Sequence, residues 1–156
     1  MKKVLMVCLG NICRSPLAHG ILNHKVKKAN LKVVVDSAGT GSWHIGSPPD
    51  IRSIDTAKKY GIDISNQKAR QIVRDDLDRF DIIYVMDNQN QKDVIGLCSN
   101  EKQKNKIKLI LDQLSNQSIK SVPDPYYDEI DGFEYVYNLI NEACQEITNK
   151  LKNDEQ

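Results

Sequence analysis

Residues 3–16 read KVLMVCLGNICRSP, and three kinds of local structure are encoded in them in order. Lys3 to Val7 is a short apolar run of strand length. Cys8 to Ser15 carries Gly10 and Asn11, residue types that tolerate the positive φ of a tight loop. Pro16 suits the first helical position, because its φ is preset. A loop between a strand and a helix N-terminus turns several backbone N–H groups inward and makes a nest for an anion. The stretch is therefore a strand, a phosphate-sized cradle and a helix start.

The same alternation continues outward. Leu31 to Val35, Asp81 to Met86 and Ile107 to Leu111 read as three further strands. Three of the four are continuous Val/Ile/Leu-rich runs, as expected of strands covered on both faces and paired in parallel. Between them the spacing predicts helices from Pro16 to about Ala29 and from Ile51 to Tyr60, closed by Gly61, with a shorter one after Gln67 and another after Asp87. Phe133, Val136, Ile140, Cys144, Ile147 and Leu151 recur every three or four residues and form one stripe of a last helix. Asp131 with Glu134 resembles a capping box, flanked by an Ile130–Tyr135 staple, which sets that helix to start near Asp131. Alternating strands and helices make an α/β protein. Its ligands are expected beyond the carboxyl ends of the strands.

Composition narrows the possibilities. The 156 residues suffice for one domain spanning 1–156. The Asn/Lys/Gln-rich Ser99 to Lys106 reads as a solvated connection within that domain. With 22 basic and 21 acidic residues there is no broad positive field, so nucleic acid is excluded as a partner. The apolar run at the start is too short for a secretory signal, and no stretch is long enough for membrane insertion. Cys8, Cys13, Cys98 and Cys144 show no CxxC spacing, which fits a reduced, cytoplasmic setting.

The chemistry lies in Cys8 and Arg14. Helix dipole, nest amides and the Arg14 cation all favour a thiolate at Cys8, and a thiolate is the nucleophilic form of the residue. The planar fork of Arg14 can grip two oxygens of a phosphoryl group and stabilise the charge spreading over them. Taken alone, a Cys six places before an Arg also fits a buried strand-end cysteine and an exposed arginine. The strand before it, the Gly-Asn inside it and the Ser-Pro after it tell against that reading.

The stretch VCLGNICRSP closely resembles the active-site loop of the low-molecular-weight protein tyrosine phosphatases. A second signature of that family, Asp-Pro followed by aromatics, appears as Asp124-Pro125-Tyr126-Tyr127. The resemblance implies a three-layer sandwich around a four-stranded parallel sheet in the order 2-1-3-4. It also implies that Cys8 attacks phosphorus while Arg14 and the loop of Leu9, Gly10, Asn11, Ile12, Cys13 and Ser15 hold the oxygens. Asp124 would protonate the leaving phenolate and then act as base for water. Ser15 would stabilise the thiolate, and the Asn11 side chain would pin the loop. Trp43, Tyr126 and Tyr127 would wall a cleft for an aromatic phosphoester, with Leu9, Ile12 and Asp50 at its mouth. In the family the cysteine at the Cys13 position can form a reversible disulfide with the nucleophile; a small core residue is the competing reading. No metal or other cofactor is implied. The partners would be phosphotyrosine-containing proteins or peptides, with inorganic phosphate as product.

One departure stands out: Gln67 replaces a histidine that many relatives carry before an Ala/Ser-Arg pair. It can hydrogen-bond but cannot titrate. His19, His24 and His44 read as solvated, as do Lys25, Lys27 and Lys28, and Cys98 and Cys144 read as core residues on helix faces. Relatives on the same scaffold reduce arsenate through two further cysteines in the third-strand region, but here that region reads DIIYVMDNQN and only Cys98 lies close after it. Others hydrolyse phosphoarginine and carry a small hydroxyl residue where this chain has Ile12. A catalytically silent phosphopeptide-binding or redox-sensing module is a third alternative, against which Asp124 counts.

Overall fold

In the computed structural model, residues 1–115, 118–128 and 130–154 are described, Ile130 by its backbone alone. Strand β1 (Lys2–Cys8) leads into helix α1 (Arg14–Lys28), followed by β2 (Val33–Gly39), α2 (Ile51–Lys59), α3 (Asp76–Arg79) and β3 (Ile82–Val85). Then come α4 (Asn88–Ile95), α5 (Glu101–Lys104), β4 (Ile107–Leu109), a 3-10 turn over Ile110–Gln113 and the long α6 (Ile130–Asp154). The four strands form one sheet in the order β2-β1-β3-β4, with every pairing parallel.

Successive side chains of a strand point to opposite faces, so β1 supplies both cores at once. Val4, Met6 and Cys8 pack with Leu17, Ile21, Ile140 and Ile147 of α1 and α6. Leu5 and Val7 face the other way, onto Leu77, Phe80, Ile83, Val85 and Val94. This double burial is why β1 reads as an unbroken apolar run. It also puts the loop after β1 at the centre of the sheet's carboxyl edge.

Several element boundaries differ from the pattern-based expectation. Strand β2 starts at Val33 and runs on to Gly39, because Asp36 to Gly39 continue the ladder against Leu5 to Cys8 despite their polar, loop-like composition. Helix α1 begins at Arg14, two residues before Pro16. The missing N–H of Pro16 costs nothing there, since the first four donors of a helix have no internal partner. The short helix expected after Gln67 begins only at Asp76; the chain before it runs beside β2, with a bridge between Gly39 and Gln71. Ile110 and Leu111 leave β4 for the 3-10 turn. The connection at Ser99 to Lys106 contains α5, capped by the Asn100 side chain, which accepts from Gln103 N at 2.8 Å.

Helix α6 starts at Ile130, so Asp131 lies within its first turn rather than at its cap. Glu134 is not its capping partner either: its carboxylate pairs with Lys59 at the end of α2 and accepts from the hydroxyl of Tyr60, the residue that follows it. Tyr60 in turn stacks on Tyr137 at 4.2 Å. The expected staple falls on the Ile130 side chain, outside the described residues. Cys144 is fully buried on α6, whereas Cys98 lies beyond α4, half-buried at the edge of the second core.

Ile140 is wholly buried in the α6 stripe and Tyr135 is half-exposed on the same helix. Ile140→Ala is expected to lower unfolding free energy by ~2–5 kcal/mol. Tyr135→Ala should change it by about 0.5 kcal/mol or less, as for surface positions in general. Urea denaturation of both variants checks the pair.

Candidate active site

The loop between β1 and α1 closes around one sulfur atom. Asn11 N–H donates to Cys8 Sγ at 3.3 Å, and Ser15 Oγ lies 3.1 Å from the same sulfur. Asn11 makes the turn with φ of 57°, and its side chain then braces the loop from behind. Its Nδ2 donates to Ser15 Oγ (2.8 Å) and to Ser37 Oγ of β2 (3.1 Å), while its Oδ1 accepts from Arg70 N (3.0 Å). Gly10, expected to share the positive φ, does not; its small size serves instead to leave room for His44, which a Cβ would meet at 3.1 Å. A Cβ at Gly39 would stand 2.8 Å from the carbonyl of Leu9, so glycine is what lets the end of β2 press against the loop. Thr40 N and Gly41 N donate to the carbonyls of Cys8 and Leu9, and Asp50 N donates to that of Ile12. The loop is held by its carbonyls from outside, which leaves N–H groups for the inside.

Arg14 opens α1 and is almost fully buried. Its Nη1 donates to Asp87 Oδ2 at 2.6 Å and to the carbonyl of Val122 at 2.9 Å, and its Nη2 lies 3.6 Å from Asp124 Oδ2. Burial works against the guanidinium charge, but Cys8, Asp87 and Asp124 outweigh it and push the pKa further up. Asp87 was not singled out from the sequence as a site residue. The available signal was its place directly beyond the carboxyl end of β3; its Oδ1 caps α4 through Asn90 N at 2.7 Å, which leaves Oδ2 for Arg14. Ser37 and Arg70 were missed as well, because their contacts to the loop cross between β strands and segments remote in sequence. Arg70 is fixed by ion pairs to Asp36 (3.0 Å) and to the buried Asp76 (2.9 Å).

A cleft opens above Cys8, lined by Leu9, Gly10, Ile12, Cys13, Arg14, Trp43, Asp124, Tyr126 and Tyr127. Trp43 is mostly exposed and its ring occupies the space where a side chain at Gly41 would stand. Tyr126 and Tyr127 meet edge to face at 5.0 Å. Asp124 is partly exposed at the rim, and its Oδ1 accepts from Tyr126 N at 3.1 Å. Asp50, expected at the mouth, does not line the cleft. It caps α2 through Arg52 N (2.9 Å) and pairs with the Arg52 guanidinium, whose hydrogen bonds hold the Asp50 carboxyl below its usual range. Asn11 and Ser15 likewise do not line the cleft, although the Asn11 N–H and the Ser15 hydroxyl both reach the Cys8 sulfur beneath it. Cys13 is buried with Ile12, Ala69 and Phe133; burial first, then the negative charges of Asp50, Cys8 and Asp124, push its thiol strongly up and keep it protonated. Its sulfur is a free thiol in the structure.

Two histidines are less solvated than expected. His44 sits half-buried between Gly10 and the ring of Tyr126. His19 is half-buried with Nδ1 3.1 Å from Ser37 Oγ, one hydrogen bond away from Asn11. Gln67 braces the same helix turn by donating to the carbonyl of Pro16 at 3.1 Å. Among the described residues there is no group of three His, Cys, Asp or Glu side chains placed to hold a metal. No described helix is long and apolar enough to cross a membrane.

The chain matches the family model described as low molecular weight phosphotyrosine protein phosphatase over residues 3–156. It is 39% identical to the low molecular weight protein-tyrosine-phosphatase YfkJ of Bacillus subtilis, covering 100% of this chain and 99% of that one. It is likewise 39% identical to a human low molecular weight phosphotyrosine protein phosphatase, over 96% of this chain and 95% of the other. The crystal structure of YfkJ superimposes with a TM-score of 0.93, covering 100% and 98% of the two chains. A protein tyrosine phosphatase from Entamoeba histolytica, 35% identical and crystallised with Hepes in its active site, gives 0.93 over the full length of both. The chain belongs to the low molecular weight phosphotyrosine protein phosphatase family.

Burial, reinforced by Arg70 and opposed by Asp36 and Gln67, lowers the pKa of His19 below its ordinary 6.5. The unfolded chain then binds a proton that the folded chain refuses, so this contribution is present above pH 6.5 and lost as pH falls toward the folded-state value. Between pH 7.5 and 5.5 the urea midpoint of His19→Gln is expected to fall less than that of the unaltered protein.

Proposed function

We propose that this family member is a protein-tyrosine phosphatase acting through a covalent phosphocysteine on Cys8, with Arg14 binding the phosphoryl group and Asp124 serving as general acid and then base. The observation that carries this reading is the convergence on one cleft of a sulfur faced by an N–H and a hydroxyl, a buried guanidinium and a rim carboxylate. The Asn11 N–H directed at the sulfur and the N-terminus of α1 suit a nucleophilic sulfur at this position.

In the first step a lone pair of Cys8 forms a bond to phosphorus as the bond from phosphorus to the aryl oxygen breaks. The proton of Asp124 passes to the departing phenolate, which would otherwise be a poor leaving group. Loop N–H groups and Arg14 Nη2 receive the charge spread over the three equatorial oxygens. Asp87 occupies Nη1 and fixes the plane of the fork, so that Nη2 faces the cleft. In the second step Asp124, now ionised, takes a proton from water. The water oxygen bonds to phosphorus, the phosphorus–sulfur bond breaks, and inorganic phosphate leaves with the thiolate restored.

The walls set the substrate class. Trp43, Tyr126 and Tyr127 present aromatic faces and edges suited to a phenyl ring. Ile12 offers an apolar contact where a guanidinium substrate would want a hydroxyl, which favours phosphotyrosine over phosphoarginine. The partners are phosphotyrosine-containing proteins or peptides, handled by one domain spanning residues 1–156. A reducing compartment, the cytoplasm, suits a reaction that needs Cys8 as a free sulfur.

Cys8→Ser is expected to abolish steady-state hydrolysis of p-nitrophenyl phosphate while still binding inorganic phosphate by calorimetry; near-normal turnover in that variant would refute the assignment. Asp124→Ala should slow phenyl phosphate by about 10²-fold or more, the usual scale of general acid catalysis. The loss on an activated ester such as 2,4-dinitrophenyl phosphate should be much smaller. Equal losses on the two would show that Asp124 is not the acid.

A further inference from the structure

Asp124 is weakly held by its own surroundings. The carboxylate is 43% exposed, accepts the N–H of Tyr126 from its own turn and stands 3.6 Å from Arg14. Its aim therefore depends on how the backbone of residues 122–128 is fastened. At the near end, Val122 N donates to the carbonyl of Met86 (2.7 Å) and Val122 O accepts from Arg14 Nη1 (2.9 Å). At the far end, among the described residues, one side chain of α2 bonds two of the segment's carbonyls. Arg52 Nη2 donates to the carbonyl of Tyr126 (2.8 Å), and Arg52 Nη1 donates to that of Asp128 (2.8 Å).

Arg52 is itself held on the remaining sides. Its Nε and Nη2 donate to Asp50 at 3.0 and 2.9 Å, and its guanidinium carbon lies 4.4 Å from the ring centroid of the fully buried Phe133. It does not line the cleft. The Arg52–Asp50 pair is half-buried, and ion pairs near a protein surface contribute little to stability in general. Two parallel bonds to carbonyls flanking the Tyr126–Tyr127 turn are a different matter, because they fix where that turn sits.

We propose that Arg52 is a positioning residue for the acid step: its guanidinium clamps the carbonyls of Tyr126 and Asp128 and so holds Asp124 and the Tyr126 wall over Cys8. The inference rests on the reading of Asp124 as general acid. A displacement of about 1 Å in a reacting group can cost about 10²-fold in rate. Lysine cannot replace the clamp, because a single ammonium does not span two carbonyls and a carboxylate in one plane.

The test measures kcat and KM for phenyl phosphate and 2,4-dinitrophenyl phosphate in Arg52→Ala, Arg52→Lys, Asp124→Ala and the double variant Arg52→Ala/Asp124→Ala. Arg52→Lys keeps the charge and an apolar stem over Phe133, so it serves if Arg52→Ala fails to fold. Both Arg52 variants are expected to lose on the order of 10- to 100-fold in kcat on the poor leaving group. On the activated ester they should lose about threefold or less, and the double variant should be no more than about threefold slower than Asp124→Ala. Equal losses on the two esters, or multiplicative losses in the double variant, would overturn the inference while leaving the acid assignment standing. Asp124→Ala slowing both esters equally would overturn the acid assignment and this inference together.

Discussion

The structure is organised around the wrapping of eight residues of backbone about the Cys8 sulfur. Such a turn exposes its N–H groups inward only if its carbonyls find donors outside, and a buried carbonyl without a donor would be costly. Thr40, Gly41 and Asp50 supply those donors from segments that follow β2 and open α2. The close approach of β2 is possible because Gly39 has no side chain to strike Leu9. The loop is therefore a product of the whole carboxyl edge of the sheet, and the sequence of the loop alone would not hold it.

Charge is arranged on the same economy. A buried guanidinium needs partners, and Arg14 has two carboxylate neighbours, Asp87 behind at 2.6 Å and Asp124 at the rim at 3.6 Å. Asp87 is the permanent one, fixed by its second oxygen at the start of α4. Asp124 is more distant and more exposed, at the rim of the cleft. One arginine thus couples the cradle to the third strand and to the Asp-Pro turn, and Arg52 fastens the other end of that turn to α2.

Legibility varied with the range of the interactions. The strand, loop and helix around Cys8 were readable because each depends on residues adjacent in sequence: the apolar run, the Gly-Asn pair and the Pro. The α6 stripe was readable for the same reason. Strand β2 was misjudged at both ends because its partner is β1, whose register decides that the polar Asp36 and Ser37 join the ladder. Glu134 looked like a cap and instead serves Lys59 and Tyr60, seventy-odd residues away. Asp50 looked like a cleft residue and instead holds Arg52. His19 looked solvated, yet packing of α1 against β2 puts it on Ser37.

The family resemblance, and no local pattern, joined the distant Asp124-Pro125-Tyr126-Tyr127 segment to the loop; by itself the sequence determined the parallel α/β class, the anion nest after the first strand, and the pairing of a loop cysteine with an arginine. These are local patterns of periodicity and conformational preference, written in consecutive residues. Only the tertiary structure decided that Asp87 backs Arg14, that Asn11 reaches Ser37 and Arg70, and that Arg52 grips the turn carrying Asp124. The physical reason is that a side-chain hydrogen bond between remote segments depends on distances of a few tenths of an ångström. Those distances exist only once both cores have packed and set the register of the sheet.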